Sequence, residues 1–302
     1  MSLFQHRKII FPFYHIVSDE DCPHVKHLYK IKRIKQFEKE LNFLQKHYRP
    51  IGLEELTEHI SNQTQPEKPS FFLSLDDGLR ECFTVIAPIL KQRKIPAAFF
   101  LNTGFVGNKD LFYRYKVSLI IDAMRISKFE IRNSRLDLLK LTYNDSGKID
   151  ELANELNLDF NEFLQKEKPY MSWDEIEELK NLGFYFGGHS VDHPYFNQIS
   201  FEEQIRQTKT SVEKVVEKLN LDYRIFSFPF SDLGVEKKFF EKVYFENICG
   251  LTFGTAGIKN DEMKCNIQRL PMDFCTGSIG KFFLQHYTKY IINKILNRKV
   301  IH

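Results

Sequence analysis

The run Phe71-Phe72-Leu73-Ser74-Leu75-Asp76-Asp77-Gly78 constrains this chain more than any other stretch. Up to Asp76 it is apolar or aromatic with one serine and no charge, the pattern of a strand buried on both faces. Such a strand needs parallel neighbours and covering helices. This one then stops at two adjacent carboxylates, which repel each other and are costly to desolvate. Water, a cation or a basic side chain must compensate them. Gly78 lets the backbone turn away.

A second apolar run ends in polar chemistry at Gly188-His189-Ser190-Val191-Asp192-His193-Pro194. His189 and His193 are four apart, a spacing that predicts both imidazoles on one face of a helical turn. Two neutral imidazoles and one carboxylate make an N,N,O donor set that suits Zn²⁺ best and is compatible with Fe, Co, Ni or Mn. Three protein ligands leave a position open for water. A bound cation would also explain the paired acids: one ligates, and the other stands ready to take a proton from water.

The order of elements predicts the architecture. Strands are expected at Ile9–Val17, at the Asp-Asp-Gly run, and at Ala97–Leu101, Phe184–His189, Arg224–Phe230, Leu251–Thr255 and Ile267–Met272. Helices are expected at Ile34–Tyr48, Leu53–Ile60, Glu81–Arg93, Trp173–Leu182, Phe201–Leu219 and Val235–Asn247. Ser172 with Glu175, and Ser200 with Glu203, have capping-box spacing. This alternation argues a parallel α/β barrel, in which working residues collect at the C-terminal ends of strands. Asp76, Asp77 and His189 all fall at such ends. Residues 102–170 interrupt the alternation with charged, helical patterns and no flanking linker. They are read as an excursion on one rim, covering the barrel mouth, rather than a domain.

At 302 residues, one such barrel with a large core is expected. Forty-three basic and 40 acidic residues leave a net charge of +3, so no global field points to nucleic acid. Cys22, Cys82, Cys249, Cys265 and Cys275 form no C-x-x-C pair and read as reduced thiols. Met1–Val17 lacks the pattern of a signal peptide, and no run is long and apolar enough to span a membrane. A cytoplasmic enzyme is the expectation.

Ser74-Leu75-Asp76-Asp77-Gly78 resembles the first motif of the polysaccharide deacetylase family, carbohydrate esterases with a chitooligosaccharide-deacetylase homology domain. His189-Ser190-x-x-His193-Pro194 resembles the second. Pro88-Ile89-Leu90, Ile95-Pro96-Ala97-Ala98-Phe99-Phe100 and Met171-Ser172-Trp173-Asp174-Glu175-Ile176 fit the same context, and the likeness runs from about Phe11 to Asp273. The resemblance implies a distorted (β/α) barrel of about seven strands over residues 1–273. It implies Asp76 as general base and Asp77, His189 and His193 as ligands to one divalent metal. Ser227-Phe228-Pro229-Phe230-Ser231 is similar to the family's third motif, which implies that the Phe230 N–H helps hold the oxyanion and that Phe230 and Ser231 meet substrate.

Two departures stand out. Ser227 occupies the place of the arginine that steadies the base in many members, and Arg269 is the candidate replacement, its other reading being a rim arginine. The closing Leu-x-His motif has a counterpart in Leu284-Gln285-His286, inside a helical pattern; His286 is the candidate general acid, with His15 and His24 as other donors. The activity implied is metal-dependent removal of acetyl groups from an N- or O-acetylated sugar, glycan or glycolipid. A deformylase or amidase on the same platform, and a catalytically silent glycan-binding protein, are the alternatives. After Phe274 there is no acidic residue, while Lys281, Lys289, Lys294, Arg298 and Lys299 are basic. Residues 274–302 therefore read as a basic terminal helix docked on the barrel, or as an interfacial helix touching a membrane surface peripherally. Oligomeric state is not legible.

Overall fold

The computed structural model describes residues 8–127, 135–296 and 298–302. Residues 1–7, residues 128–134 of the excursion and residue 297 of the tail lie outside these. The chain opens with β1 (Ile9–Ile10) and β2 (Pro12–Tyr14), then α1 (Ile34–His47), β3 (Arg49–Pro50), α2 (Leu53–Ser61), β4 (Ser70–Phe71) and β5 (Leu73–Leu75). A π-helical turn at Cys82–Ile86 leads into α3 (Ala87–Gln92) and β6 (Ala97–Leu101). The excursion holds α4 (Tyr113–Ser127), α5 (Arg135–Leu138), α6 (Ser146–Glu155) and α7 (Phe160–Glu167). Regular alternation resumes with α8 (Trp173–Asn181), β7 (Tyr185–Gly188), α9 (Phe201–Leu219), β8 (Ile225–Ser227), α10 (Lys237–Phe245) and β9 (Leu251–Gly254). Strands β10 (Asn266–Gln268) and β11 (Leu270–Pro271) and helix α11 (Ile279–Ile295) complete it.

Eight parallel strands, in the order β10-β9-β8-β7-β6-β5-β2-β11, form a nearly closed barrel. Its end strands are separated in sequence by Arg269 alone. The strand expected at Ile267–Met272 is therefore two, which is why eight are found rather than about seven. Ile9–Val17 likewise splits at Phe11, because β1 pairs with β4 in a small three-stranded sheet while β2 pairs with β5 in the barrel.

The apolar runs are buried on both faces because the two faces meet different layers. In β6, Ala97, Phe99 and Leu101 pack into the core beneath α3 and α8. Ala98 and Phe100 point the other way, joining Phe72, Ile225 and Phe253 in another core cluster. Gly188 serves close packing: a Cβ there would lie 2.7 Å from Ser211 Oγ on α9.

Ser172 and Glu175 form the complete capping box at the start of α8. At α9 only half of it exists. The Ser200 hydroxyl accepts the Glu203 N–H at 3.2 Å, while the Glu203 carboxylate pairs with Arg206 instead. The excursion packs its own apolar cluster against Ile16, Val25 and Leu79 of the barrel rim. In the tail, α11 buries Phe283, Tyr287 and Tyr290 against the barrel, and Tyr287 shares a 3.0 Å hydrogen bond with Tyr48. No helix among the described residues is long and apolar enough to cross a membrane.

Candidate active site

Because the barrel strands are parallel, the segments that follow β2, β5, β7, β8 and β11 meet on one rim. Asp77 Oδ1 lies 3.4 Å from His189 Nε2 and 3.3 Å from His193 Nε2, and all three residues are buried. The helical turn expected for the two histidines is absent. His189 follows β7 directly, and Ser190 and His193 both have left-handed backbones, with φ of 67° and 62°. The Ser190 hydroxyl accepts the His193 N–H at 2.9 Å, and this local bond takes the place of helical ones. Asp77 and Phe230 are also left-handed, at 73° and 57°. Four non-glycine residues in that sparsely allowed region around one cleft is local strain held by the surrounding fold.

The donor set fits a cation on its proton count. His189 Nδ1 donates to the Ser227 carbonyl at 2.9 Å, so Nε2 of the neutral ring carries a lone pair. That lone pair and Asp77 Oδ1 are both buried without a hydrogen-bond partner and face each other. Two acceptors so placed repel unless a cation or a proton lies between them. The other carboxylate oxygen, Asp77 Oδ2, accepts the Tyr115 O–H at 2.8 Å. Burial pushes the Asp77 carboxyl up; with protons on the facing His189 and His193 nitrogens it is held well below the usual carboxylate range, the part a cation would take between neutral rings.

Asp76 has a different partner. Arg269, fully buried, grips both of its oxygens at 2.8 and 2.7 Å and also contacts Ser74 Oγ and Ser227 Oγ at 3.0 and 2.6 Å. The Ser227 hydroxyl in turn donates to Asp76 at 3.3 Å. The structure thus brings Arg269 to Asp76 from the seam between the two end strands, and the serine at position 227 is small enough to admit it. Burial raises the Asp76 carboxyl, yet Arg269 and then His189 outweigh it and leave the group below its ordinary value. This is the bidentate geometry in which a buried guanidinium and carboxylate satisfy each other.

A cavity of about 330 Å³ opens over these groups, within the usual range for small-ligand sites. Its wall includes His15, Asp76, Asp77, His193 and Phe230. Phe230 stacks flat on Tyr195 at 3.6 Å and touches the His193 ring edge-on. Ser231 does not line the cavity; its hydroxyl accepts the Leu233 N–H. His286 is also outside it. It sits half-buried on α11, tilted against Phe282 and beside Gly257. His24 is buried among Tyr115 and Phe163 with both ring nitrogens unpartnered, and burial lowers it to about 4.

His15, just beyond β2, is the imidazole in the wall that is positioned to donate. Its Nδ1 lies 2.6 Å from Asp273 Oδ2. Burial opposes its charge, but Asp273 prevails and raises it to about 9. In the sequence His15 is one of two other possible donors, inside a strand expected to run to Val17; the strand stops at Tyr14, which frees His15 to face the cleft. Tyr115 and Asp273 had no comparable signal.

The sequence pattern of polysaccharide deacetylases matches residues 63–242, more than half of the chain. The chain belongs to the polysaccharide deacetylase family. Solved structures agree in fold. The Streptococcus pyogenes deacetylase PplD, determined in complex with acetate, is 17% identical, with a TM-score of 0.61 over 93% of this chain and 98% of its own. IcaB from Ammonifex degensii is 15% identical, with a TM-score of 0.60 over 93% and 97%. A de-N-acetylase from Aggregatibacter actinomycetemcomitans is 16% identical, with a TM-score of 0.58 over 91% and 99%. No curated protein sequence matches this polysaccharide deacetylase.

Proposed function

We propose that this polysaccharide deacetylase hydrolyses the acetamido group of an acetylated saccharide or glycolipid with one divalent metal, Zn²⁺ best suiting its donors. The observation that carries the reading is the pair of unpartnered acceptors, Asp77 Oδ1 and His189 Nε2, beside an ionised Asp76. Asp77, His189 and His193 would hold the metal. When bound there, a divalent cation supplies polarisation of the acyl oxygen and a lowered pKa for water.

The chain's own residues account for the remaining steps. Asp76, kept ionised by Arg269, accepts a proton from the water that attacks the carbonyl carbon. The Phe230 N–H donates to the oxygen that gains charge as the C–O bond forms. His15, protonated at neutral pH through Asp273, gives its proton to the leaving nitrogen as the C–N bond breaks. Tyr115 fixes the rotation of the Asp77 carboxylate. Acetate and a free amine are the products.

The test is metal content and acetate release on one preparation, against N-acetylated chito-oligosaccharides. One metal per chain, lost in Asp77→Ala, with acetate release abolished in metal-loaded Asp76→Asn, is the expected result. Bound metal with no acetate would transfer the site to another acyl group, formyl first. Absence of metal when Zn²⁺ is supplied would overturn the mechanism.

A further inference from the structure

The charges lining the cleft are nearly all neutralised within it. Asp76 is matched by Arg269 and His15 by Asp273. Arg114 is different. It reaches the same cavity wall from the first turn of α4, a turn with no acidic residue, and has no carboxylate within ion-pair distance among the described residues. Its neighbour on the helix, Lys116, is neutralised by Asp110 at 3.1 Å. The Arg114 guanidinium lies 5.9 Å from the centre of the Phe230 ring, whose backbone N–H is the donor proposed above. A planar fork of donors is therefore held in the wall of the cleft with nothing anionic among the described residues to receive it.

We infer that Arg114 is a specificity residue, and that the preferred substrate is an acetylated sugar carrying an anionic group, a carboxylate or a phosphate, next to the acetamido group. The inference rests on the deacetylase reading for its chemistry and on the cleft's charge balance for the ligand class. With a divalent cation at Asp77, His189 and His193, the cleft carries net positive charge. A positive, partly enclosed site concentrates anionic ligands. The guanidinium fork matches both carboxylate and phosphate. Tyr195 and Phe230, stacked on each other in the cavity wall, offer the neutral part of a sugar an apolar surface to lie on.

Three probes separate the possibilities: tetra-N-acetylchitotetraose as the neutral sugar, a hyaluronan tetrasaccharide as the carboxylate, and N-acetylglucosamine 1-phosphate as the phosphate. Acetate release is measured for wild type, Arg114→Gln and Arg114→Lys. The wild type should favour at least one anionic probe over the neutral one in kcat/KM, and which one identifies the anion's source. Arg114→Gln should cut that preference about 10- to 100-fold, through KM rather than kcat, the size of one charged hydrogen bond. Arg114→Lys should restore part of it. Equal use of all three probes by wild type, or equal losses on neutral and anionic probes in Arg114→Gln, would overturn the inference.

Binding of the same probes to Asp76→Asn, by calorimetry, tests the ligand class without turnover. Tighter binding of an anionic probe that disappears on adding Arg114→Gln supports it even if no acetate is ever released. In that case the deacetylase reading alone would fail.

Discussion

In the cleft, Asp77, His189 and His193 bring together acceptors that lack protons. Against β9 and β10, Asp232, Asp261 and His302 gather the same residue types within the same span, yet every facing acceptor has a donor. Asn266 Nδ2 reaches Asp232 and Asp261 at 2.7 and 3.0 Å, and Gln268 Nε2 reaches both as well. The amides cannot simply flip. Asn266 Oδ1 accepts the Thr252 hydroxyl at 2.9 Å and Gln268 Oε1 accepts the Ala256 N–H at 2.6 Å. His302 Nε2 lies 3.1 Å from Asp261, which outweighs burial and raises the imidazole above its ordinary value, and Nδ1 lies 3.2 Å from the Val235 carbonyl, so both ring nitrogens face acceptors and serve as donors. Residue types alone do not make a metal site. The count of donors around them does.

That difference predicts opposite behaviour. The largest effect is expected from Asp77→Ala, which should lose the bound metal and bring acetate release to background, whereas Asp261→Asn should retain metal at the wild-type stoichiometry. Elemental analysis of both variants decides the matter. Metal lost from Asp261→Asn alone would reverse the comparison. Tyr115→Phe removes only the hydrogen bond to Asp77 Oδ2. Metal affinity, measured by competition with a chelator, should fall about 10- to 100-fold, as for other groups that orient a ligand.

The His15–Asp273 pair lies between these extremes, a single imidazole and carboxylate sharing a proton inside the cleft. Because its pKa is raised to about 9, His15 stays protonated through neutral pH and loses its proton only as pH rises through that value. The pH profile of kcat/KM should therefore keep activity to about pH 9 and fall above it. In Asp273→Asn the alkaline limb should move down by at least one pH unit. An unmoved limb would remove His15 as the acid.

The smallest effect belongs to the satisfied cluster. Asp261→Asn leaves a charged imidazole with a poorer partner and should destabilise the fold by about 1–3 kcal/mol, read from urea unfolding. Since the pKa of His302 is raised in the folded state, the pair's contribution is full below the unfolded value near 6.5 and declines as pH rises through the folded value. The wild-type advantage over Asp261→Asn should therefore shrink at alkaline pH. An advantage that grew instead would contradict the raised imidazole.

Much of the barrel was legible in advance, because a strand buried on both faces has few alternatives. Ala97–Leu101 and Phe201–Leu219 have the expected bounds, and the charged pairs lie where apolar runs stop. Arg269 was legible for a negative reason: a buried carboxylate needs a cation, and Ser227 is not one. Sequence position misled the search for an acid. Leu284-Gln285-His286 has the pattern, but its helix turns His286 toward Gly257. The contributions of Arg114 and Tyr115 depend on how the excursion folds back over the rim, a tertiary event that leaves no local trace.

The near-closure of the barrel by β2 and β11 has a consequence on the ribosome. Asp76 and its guanidinium are 193 residues apart, and His15 and its carboxylate 258. At ordinary elongation rates Arg269 emerges roughly 10–40 s after Asp76. During that interval Asp76 lacks its guanidinium and β2 lacks its outer neighbour β11, so the nascent chain holds an open barrel edge one strand away from an uncompensated carboxylate until Arg269 and β11 follow.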